Sequence, residues 1–329
     1  MKNIDLSIVI VNYQSWDYLD NCLKSFQDYP PLMSYEIIVV DNDSQDGRYN
    51  SFKQSHPEIL LIKNKGNFGF SHGCNLGASE AKGENILFLN PDTEITEDKP
   101  IDAMLIYLNT HPDVGIVSCR NTSPNGGTGK EDRFLSPWLL FGFTRFIYKS
   151  FYKNKLEVQY PKNSSIQFPD WVTGSVVLIN SKLFRQIGRW NDERYWMYSE
   201  DPDLCYKVNR LGKKVALLTN VTISHIGGGA SRPNLQSLIR YKTEDTISKH
   251  NYIQENAQGF SKPIIHLLYF FKIQSSIIDI LLSLILLRKN KLKTKVQVLI
   301  NCWKYYLRAV FRRTWKNPRL DHVKPLSYQ

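Results

Sequence analysis

What most constrains the fold of this chain is an alternation that runs through its first 120 residues. Continuous apolar, β-branched runs are separated by stretches with helical spacing. "LSIVIVN" (6–12), "EIIVVD" (36–41), "ILLIKN" (59–64), "NILFLN" (85–90) and "VGIVSC" (114–119) each read as a strand covered on both faces. Between them, "WDYLDNCLKSFQD" sets Leu19, Cys22, Leu23 and Phe26 at helical spacing, and "SHGCNLGASEAKG" and "DKPIDAMLIYLNTH" read as helices. The pattern specifies an α/β chain with a mainly parallel central sheet flanked by helices.

Polar residues fall in step with these strands. Asn12, Asp41, Asn64 and Asn90 each end an apolar run, and Asp92 follows two residues later. In an open parallel sheet, ligands bind in the crevice beyond the carboxyl ends of the strands. Turn and cap preferences of Asn and Asp explain any one of these positions, but explain four in register less well.

Residues 121–170 are rich in Pro, Gly, Asn and aromatics and read as a long loop with a short helix over a substrate site. After it, "WVTGSVVLIN" reads as a turn and strand, "SKLFRQIG" and "PDLCYKVNRLG" as helices, and "KKVALLT" and "VTISHIGGG" as closing strand pieces.

Composition changes near residue 260. Residues 262–329 hold 14 Lys/Arg against Asp279 and Asp321, whereas residues 1–261 hold 28 Lys/Arg against 29 Asp/Glu. The body is therefore neutral and the tail carries the excess, which argues against nucleic acid as partner. "SSIIDILLSLILL" (275–287) is apolar nearly all round, yet shorter than the roughly 20 residues that a membrane span needs. Beyond it, Val296, Leu299, Ile300, Trp303, Leu307, Val310 and Phe311 share one helical face, with Lys295, Lys304, Arg308 and Arg312 on another. Such a basic amphipathic helix suits an anionic membrane surface, with a helical pair packed on the body as the alternative. Five dispersed cysteines without a C-x-x-C pair fit reduced thiols in the cytosol. The N-terminus has no signal-peptide pattern, so the expected location is cytoplasmic, peripheral on the inner face of the membrane.

Two phosphate motifs fail. "GNFGFSHG" has the wrong glycine spacing for a dinucleotide fingerprint, and in "GGTGKE" Lys130 is followed by Glu rather than Ser or Thr.

The segments "SIVIVNYQSWDYLDNCLKSF", "EIIVVDNDSQDG", "NKGNFGFSHGCNLGA", "ILFLNPDTEI", "WVTGSVVLI", "YWMYSEDPDLCYKVNRLGKKV" and "SHIGGGAS", in this order, resemble the family 2 glycosyltransferases of GT-A fold, within them the rhamnosyltransferase-like group. The likeness spans most of residues 6–231. It implies a GT-A domain over 1–260, with a nucleotide-sugar-binding half (1–120) and an acceptor and catalytic half (121–260), followed by a basic helical tail (261–329). It implies transfer of a sugar from a nucleotide sugar to an acceptor hydroxyl, usually with inversion. The expected donor is dTDP-L-rhamnose, with a UDP-hexose as the alternative; the expected acceptor is a lipid-linked or growing surface glycan.

The resemblance also assigns residues. Asp41 matches the acid that meets the pyrimidine, with Asn12 and Tyr13 beside it. Gly66, Asn67 and Gly69 would let backbone approach the nucleotide, although an ordinary turn needs the same glycines. Asn75, placed at a helix start, would touch the donor. "LNPDTE" sits where the family has its metal motif, with Asn90 in the first position and Asp92 as the acid toward a divalent ion (Mg2+ or Mn2+). His225 in "SHIGGG" matches a residue that completes the metal shell, though a lone His after a strand is also a common core or turn residue. In "YSEDPDLCY", Asp201 matches the general base, and Asp201-Pro202 also reads as a helix cap. Glu200 would orient the acceptor or an adjacent loop, and Asp203 reads as structural. Trp171 and Gly174 lie where relatives shape the sugar pocket, and Trp171 reads equally as core.

Two other classes share the α/β layout. A sugar-nucleotide nucleotidyltransferase would carry a Gly- and Lys/Arg-rich loop after the first strand, where this chain has "NYQSWDY". A non-catalytic sugar-nucleotide-binding module would need no base at Asp201.

Overall fold

The computed structural model describes residues 4–123, 127, 134–161, 164–227, 234–285, 289–321 and 323. Leu6–Asn12 forms β1 with all seven residues buried, as an unbroken apolar run requires of a central strand. It pairs in parallel with β2 (Tyr35–Asp41) and with β4 (Asn85–Leu89), while β3 (Leu60–Lys63) extends β2 in parallel. The register sets Asn12 directly against Asp41, so two polar strand ends meet at one edge.

Beyond β4 the sheet becomes mixed. β8 (Val176–Asn180) runs antiparallel between β4 and β6 (Val114–Thr122), and β9 (Lys214–His225) lies parallel to β6. The short strands β5 (Thr93–Glu94) and β7 (Ile166–Gln167) pair antiparallel with β9. The strand order is β3-β2-β1-β4-β8-β6-β9-β5. The two closing pieces expected from the sequence are one strand, β9. Its extra residues are absorbed by an irregularity opposite Cys119 and Arg120 of β6.

Helices cover both faces. On one, α1 (Trp16–Asp28), α2 (Tyr49–Ser55) and α4 (Pro100–Thr110) bury Trp16, Phe26, Phe52 and Met104 against the sheet. On the other, α3 (Phe70–Glu80), α7 (Ser181–Gln186) and α8 (Glu200–Arg210) bury Cys74, Phe184, Leu204 and Val208 with Trp190.

The long loop expected over 121–170 is more ordered than its composition suggested. It holds a short 3-10 turn at Pro137–Leu140, then α5 (Gly142–Phe151) and α6 (Lys153–Gln159). Neither helix buries a residue, which is why their aromatics read as loop. "GGTGKE" lies outside the described residues except for Gly127.

The C-terminal part is helical. α9 (Leu235–Asn256) is capped by Asn234, whose Oδ1 accepts the Ser237 N–H at 2.9 Å. It is followed by α10 (Ser261–Gln274), α11 (Ser276–Ile285) and α12 (Lys289–Arg312). α12 buries Cys302, Tyr305 and Tyr306 in a cluster with Ile247 of α9, so contacts cross the line drawn at residue 260. The same helix leaves Trp303, Leu307, Val310 and Phe311 exposed, the last at 83%. Ser261–Leu282 is long and apolar enough, by length and composition, to cross a membrane, a wider window than the run read from the sequence. Ile265 and Tyr269 of α10 are nonetheless buried beside Ile253 of α9.

Candidate active site

A cavity of about 400 Å³ opens where the strands end. One part of its wall comes from the loops after β1, β2 and β3: Tyr13, Gln14, Ser15, Asn42 and Asn67. Beneath it lies a buried polar network. The Asp41 carboxylate accepts from Asn12 Nδ2 at 3.2 Å, from the Ser44 N–H at 3.3 Å and from the Ser44 hydroxyl. Burial raises the Asp41 carboxyl above its ordinary range, and the Ser44 and Asn12 donors oppose that rise. Asn42 donates to Asn67 Oδ1 at 3.2 Å and accepts from Asn64 at 2.9 Å, tying the loops after β2 and β3 together.

The β4–β5 turn and the end of β9 supply a second element. Thr93 pairs with His225 in the sheet, and the Ile226 N–H donates to the Asp92 carbonyl at 3.1 Å. This pairing sets His225 Nε2 3.2 Å from Asp92 Oδ1 and 3.4 Å from the Asn90 side-chain amide. Asp92, Asn90 and His225 all border the cavity.

The third element is the turn into α8. Tyr198 and Ser199 are consecutive left-handed residues, at φ 70° and 66°, a strained arrangement for non-glycine residues. Ser199 is the residue before the helix and Glu200 its first residue. Asp201 is therefore inside the first turn, not the cap that Asp201-Pro202 suggested. Its Oδ2 accepts the Gly174 N–H at 3.2 Å, and both residues border the cavity. Glu200 is buried beside it, with Oε2 lacking a hydrogen-bond partner among the described residues. Burial first, and the Asp201 charge second, push the Glu200 carboxyl well above the usual carboxylate range. A protonated Glu200 donates a hydrogen bond where an ionised one would accept. Asp203 turns the other way: the Tyr195 hydroxyl donates to it at 3.3 Å and Lys207 lies 3.5 Å from it.

Of the residues singled out in the sequence, Tyr13, Asn67, Asn90, Asp92, Gly174, Glu200, Asp201 and His225 come together on this cavity. Asn12 and Asp41 lie just beneath it, each holding the other. Three further expectations are corrected. Asn75 sits in the middle of α3, not at a helix start, and both ends of its amide are taken by the Trp190 backbone, at 2.9 and 3.2 Å. Gly69 (φ 96°) is glycine because a Cβ would run into the Trp196 carbonyl oxygen, while a Cβ at Gly66 would meet the Phe68 ring; neither lines the cavity. Trp171 packs against buried clusters of the core rather than on the cavity wall. Gly228 and Gly229 of "SHIGGG" lie outside the described residues.

The sequence reading missed a fourth element. Ser237, Arg240, Tyr241 and Glu244 of α9 border the cavity, with Trp196 and Tyr198. Tyr241 packs edge-on to Tyr198 at 4.9 Å, and the Ser248 hydroxyl of α9 donates to the Met197 carbonyl at 2.6 Å. Asn234 followed by Ser237 was the available signal for this helix.

With this geometry in place, the comparisons with known proteins become informative. The family profile described as Glycosyl transferase family 2 matches residues 7–169, about half of the chain. The chain belongs to the family 2 glycosyltransferases. Among curated relatives of this glycosyltransferase is the low-salt glycan biosynthesis hexosyltransferase Agl10 of Haloferax volcanii, 31% identical over 63% of this chain and 62% of that protein. Another is the N-acetylglucosaminyl-diphospho-decaprenol L-rhamnosyltransferase of Mycobacterium tuberculosis, 26% identical over 67% of this chain and 75% of the relative. The rhamnosyltransferase WbbL of Escherichia coli is 24% identical over 73% of this chain and 90% of that protein. In fold, the chain is similar to a mannosyltransferase from Pyrobaculum calidifontis solved with GDP-Man and Mn2+, at TM-score 0.53 and 16% identity, covering 94% of this chain and 88% of the other. It is also similar to GalNAc-T7 solved with UDP, GalNAc and Mn2+, at TM-score 0.52 and 14% identity, covering 82% of this chain and 54% of the other. These likenesses establish the GT-A fold.

The donor set of this glycosyltransferase fits a divalent cation. Asp92 offers a hard oxygen, His225 an imidazole nitrogen, and Asn90 a neutral amide, all within reach of one another. Among the described residues no cluster of three His, Cys, Asp or Glu could hold a metal. An ion here would therefore take its remaining ligands from substrate oxygens or water.

Proposed function

We propose that this chain is an inverting glycosyltransferase that moves a sugar from a nucleotide sugar to a hydroxyl of a lipid-linked or growing surface glycan. The observation that carries this reading is the meeting of Asp201 and the Asp92–His225 pair on the walls of one cavity at the strand ends. The Tyr13, Asn42 and Asn67 loops would receive the nucleotide, braced by Asp41 and Asn12 beneath them.

Asp92 and His225, with Asn90, would hold a Mg2+ or Mn2+ ion, whose positive charge suits the diphosphate left when the sugar departs. Arg240, the one Lys or Arg among the described residues that border the cavity, adds a fixed positive charge. Asp201 would take the acceptor proton as the acceptor oxygen attacks the anomeric carbon. The helix start and the Gly174 N–H favour its ionised form, the form a base needs. Protonated Glu200 would donate a hydrogen bond to an acceptor oxygen and so orient it.

The donor proposed is dTDP-L-rhamnose, supported by two relatives described as rhamnosyltransferases. The exposed apolar and basic faces of α10–α12 support a peripheral position on the inner face of the membrane, where a lipid-linked acceptor would lie. Incubating the purified chain with a panel of nucleotide sugars and a prenyl-diphosphate-linked N-acetylglucosamine tests the reading. Sugar transfer from dTDP-rhamnose with inverted product supports it. Transfer from UDP-hexoses replaces the donor only, and no transfer from any donor sinks the activity.

A further inference from the structure

Glu244 is a cavity-lining carboxylate that neither the strand ends nor α8 holds in place. It is 3% exposed. Both of its oxygens are gripped from the far end of the chain: Asn317 Nδ2 donates to Oε2 at 2.7 Å, and Arg319 Nε donates to Oε1 at 2.7 Å. A buried carboxylate deprived of such donors would turn away, because burial penalises an unsatisfied polar group. The same guanidinium lies over the ring of Trp196, 4.7 Å from its centroid. Trp196 also borders the cavity, and its Nε1 donates to the Asn67 carbonyl at 3.2 Å. Arg319 thus bears on two cavity residues at once, one carboxylate and one indole.

The segment that carries these side chains is itself firmly seated. Asn317 is fully buried, and its Oδ1 accepts the Arg319 N–H at 3.0 Å, fixing the turn between them. Trp315 stacks on His250 and His266 at 4.6 and 4.3 Å, and its carbonyl accepts from the Tyr305 hydroxyl at 2.7 Å. Leu320 is buried, and Asp321 pairs with Arg308 of α12. A tail serving only to bring the enzyme to a membrane would not need a buried Asn and an Arg directed at a carboxylate in the cavity wall.

We propose that the segment Trp315–Leu320 is a working part of the acceptor side of the cavity. Asn317 and Arg319 are positioning residues that keep Glu244 aimed, and hold Trp196 as a flat platform. The ligand class is a sugar presented as acceptor. Its ring would lie against the Trp196, Tyr198 and Tyr241 aromatics, and its hydroxyls would donate to Glu244. The clamp meets the donor side, built from Tyr13, Asn42, Asn67 and the Asp92–His225 pair, through the Trp196–Asn67 bond. The inference rests on the transfer reading above.

The test separates the two walls by binding as well as by rate. Titration calorimetry with dTDP and Mn2+ reads the donor side. A water-soluble short-chain prenyl-diphosphate N-acetylglucosamine is the acceptor probe. Arg319→Ala and Asn317→Ala are each expected to weaken acceptor-probe binding and raise the acceptor KM about tenfold, the scale of a lost hydrogen bond to a charged group. Nucleotide affinity should stay within about twofold, and Arg319→Lys should recover part of the loss through its remaining charge. Equal losses on both sides, as a merely structural tail would give, overturn the proposal, as does no change on either side. A wild-type chain that binds nucleotide but not the acceptor probe overturns it too, leaving the donor reading intact. Failure of the wild-type chain to bind nucleotide would instead count against the proposed function.

Discussion

His225 Nε2 lies 3.2 Å from Asp92 Oδ1, although 132 residues of chain separate the two, because β5 and β9 pair Thr93 with His225. If this pair holds a divalent ion, turnover should fall about a hundredfold or more in excess EDTA and return with Mn2+ or Mg2+. Asp92→Ala and His225→Ala should each weaken Mn2+ binding about tenfold or more by calorimetry. Full activity in excess EDTA would remove the metal from the mechanism.

Gly69 and Trp196 make a second relationship that can be tested on the folded chain. The Phe70 N–H donates to the Trp196 carbonyl at 2.9 Å, and a Cβ on Gly69 would enter the same space at a backbone conformation only glycine adopts freely. Gly69→Ala should destabilise the protein by about 3 kcal/mol or more, read by denaturant unfolding. A loss of nucleotide affinity at unchanged stability would contradict the packing role.

Much of this was legible in the sequence. The unbroken apolar code of "LSIVIVN" gave β1 to the residue, because a strand buried on both faces admits little else. The polar residues that close such strands pointed to the edge where the cavity opens. The role of Asn75 was not legible, since its amide meets Trp190 across 115 residues and nothing local records it. Glu244 was invisible for the same reason: a carboxylate on a long polar helix reads as solvated until Arg319, 75 residues later, returns to it. The αL pair Tyr198–Ser199 also has no local signature, and it moved the start of α8 ahead of Asp201.

The buried histidine pair predicts a pH dependence of stability. His250 Nδ1 is 2.9 Å from His266 Nδ1, and His250 Nε2 is 3.1 Å from the Tyr306 hydroxyl. Burial, with nearby Lys262 adding to it, lowers the pKa of His266 to about 4; burial and His266 lower His250 well below its ordinary value. Both folded values lie below the unfolded one, so the unfolded chain binds more protons as pH falls through the ordinary histidine range. This contribution destabilises progressively from about pH 6.5 down to about pH 4. His266→Phe should flatten the fall in thermal midpoint across that window relative to the wild type. Parallel curves would show that the pair does not titrate as described.

Membrane attachment is tested on exposed positions, because deleting α12 would strip the buried face of α9. Val310 and Phe311 are 72% and 83% exposed beside basic residues. Replacing both with Ser should weaken binding to phosphatidylglycerol vesicles about tenfold in co-sedimentation, without shifting the unfolding midpoint. Equal binding by wild type and variant would remove this face from the membrane contact.

The most direct test of the proposed chemistry is single-turnover transfer by Asp201→Asn. The amide keeps the size of the side chain and can still accept from the Gly174 N–H, but it cannot take a proton. The expected result is a loss of about 100- to 10,000-fold in the transfer rate, with donor affinity within about threefold of wild type. Transfer at the wild-type rate would contradict Asp201 as the base.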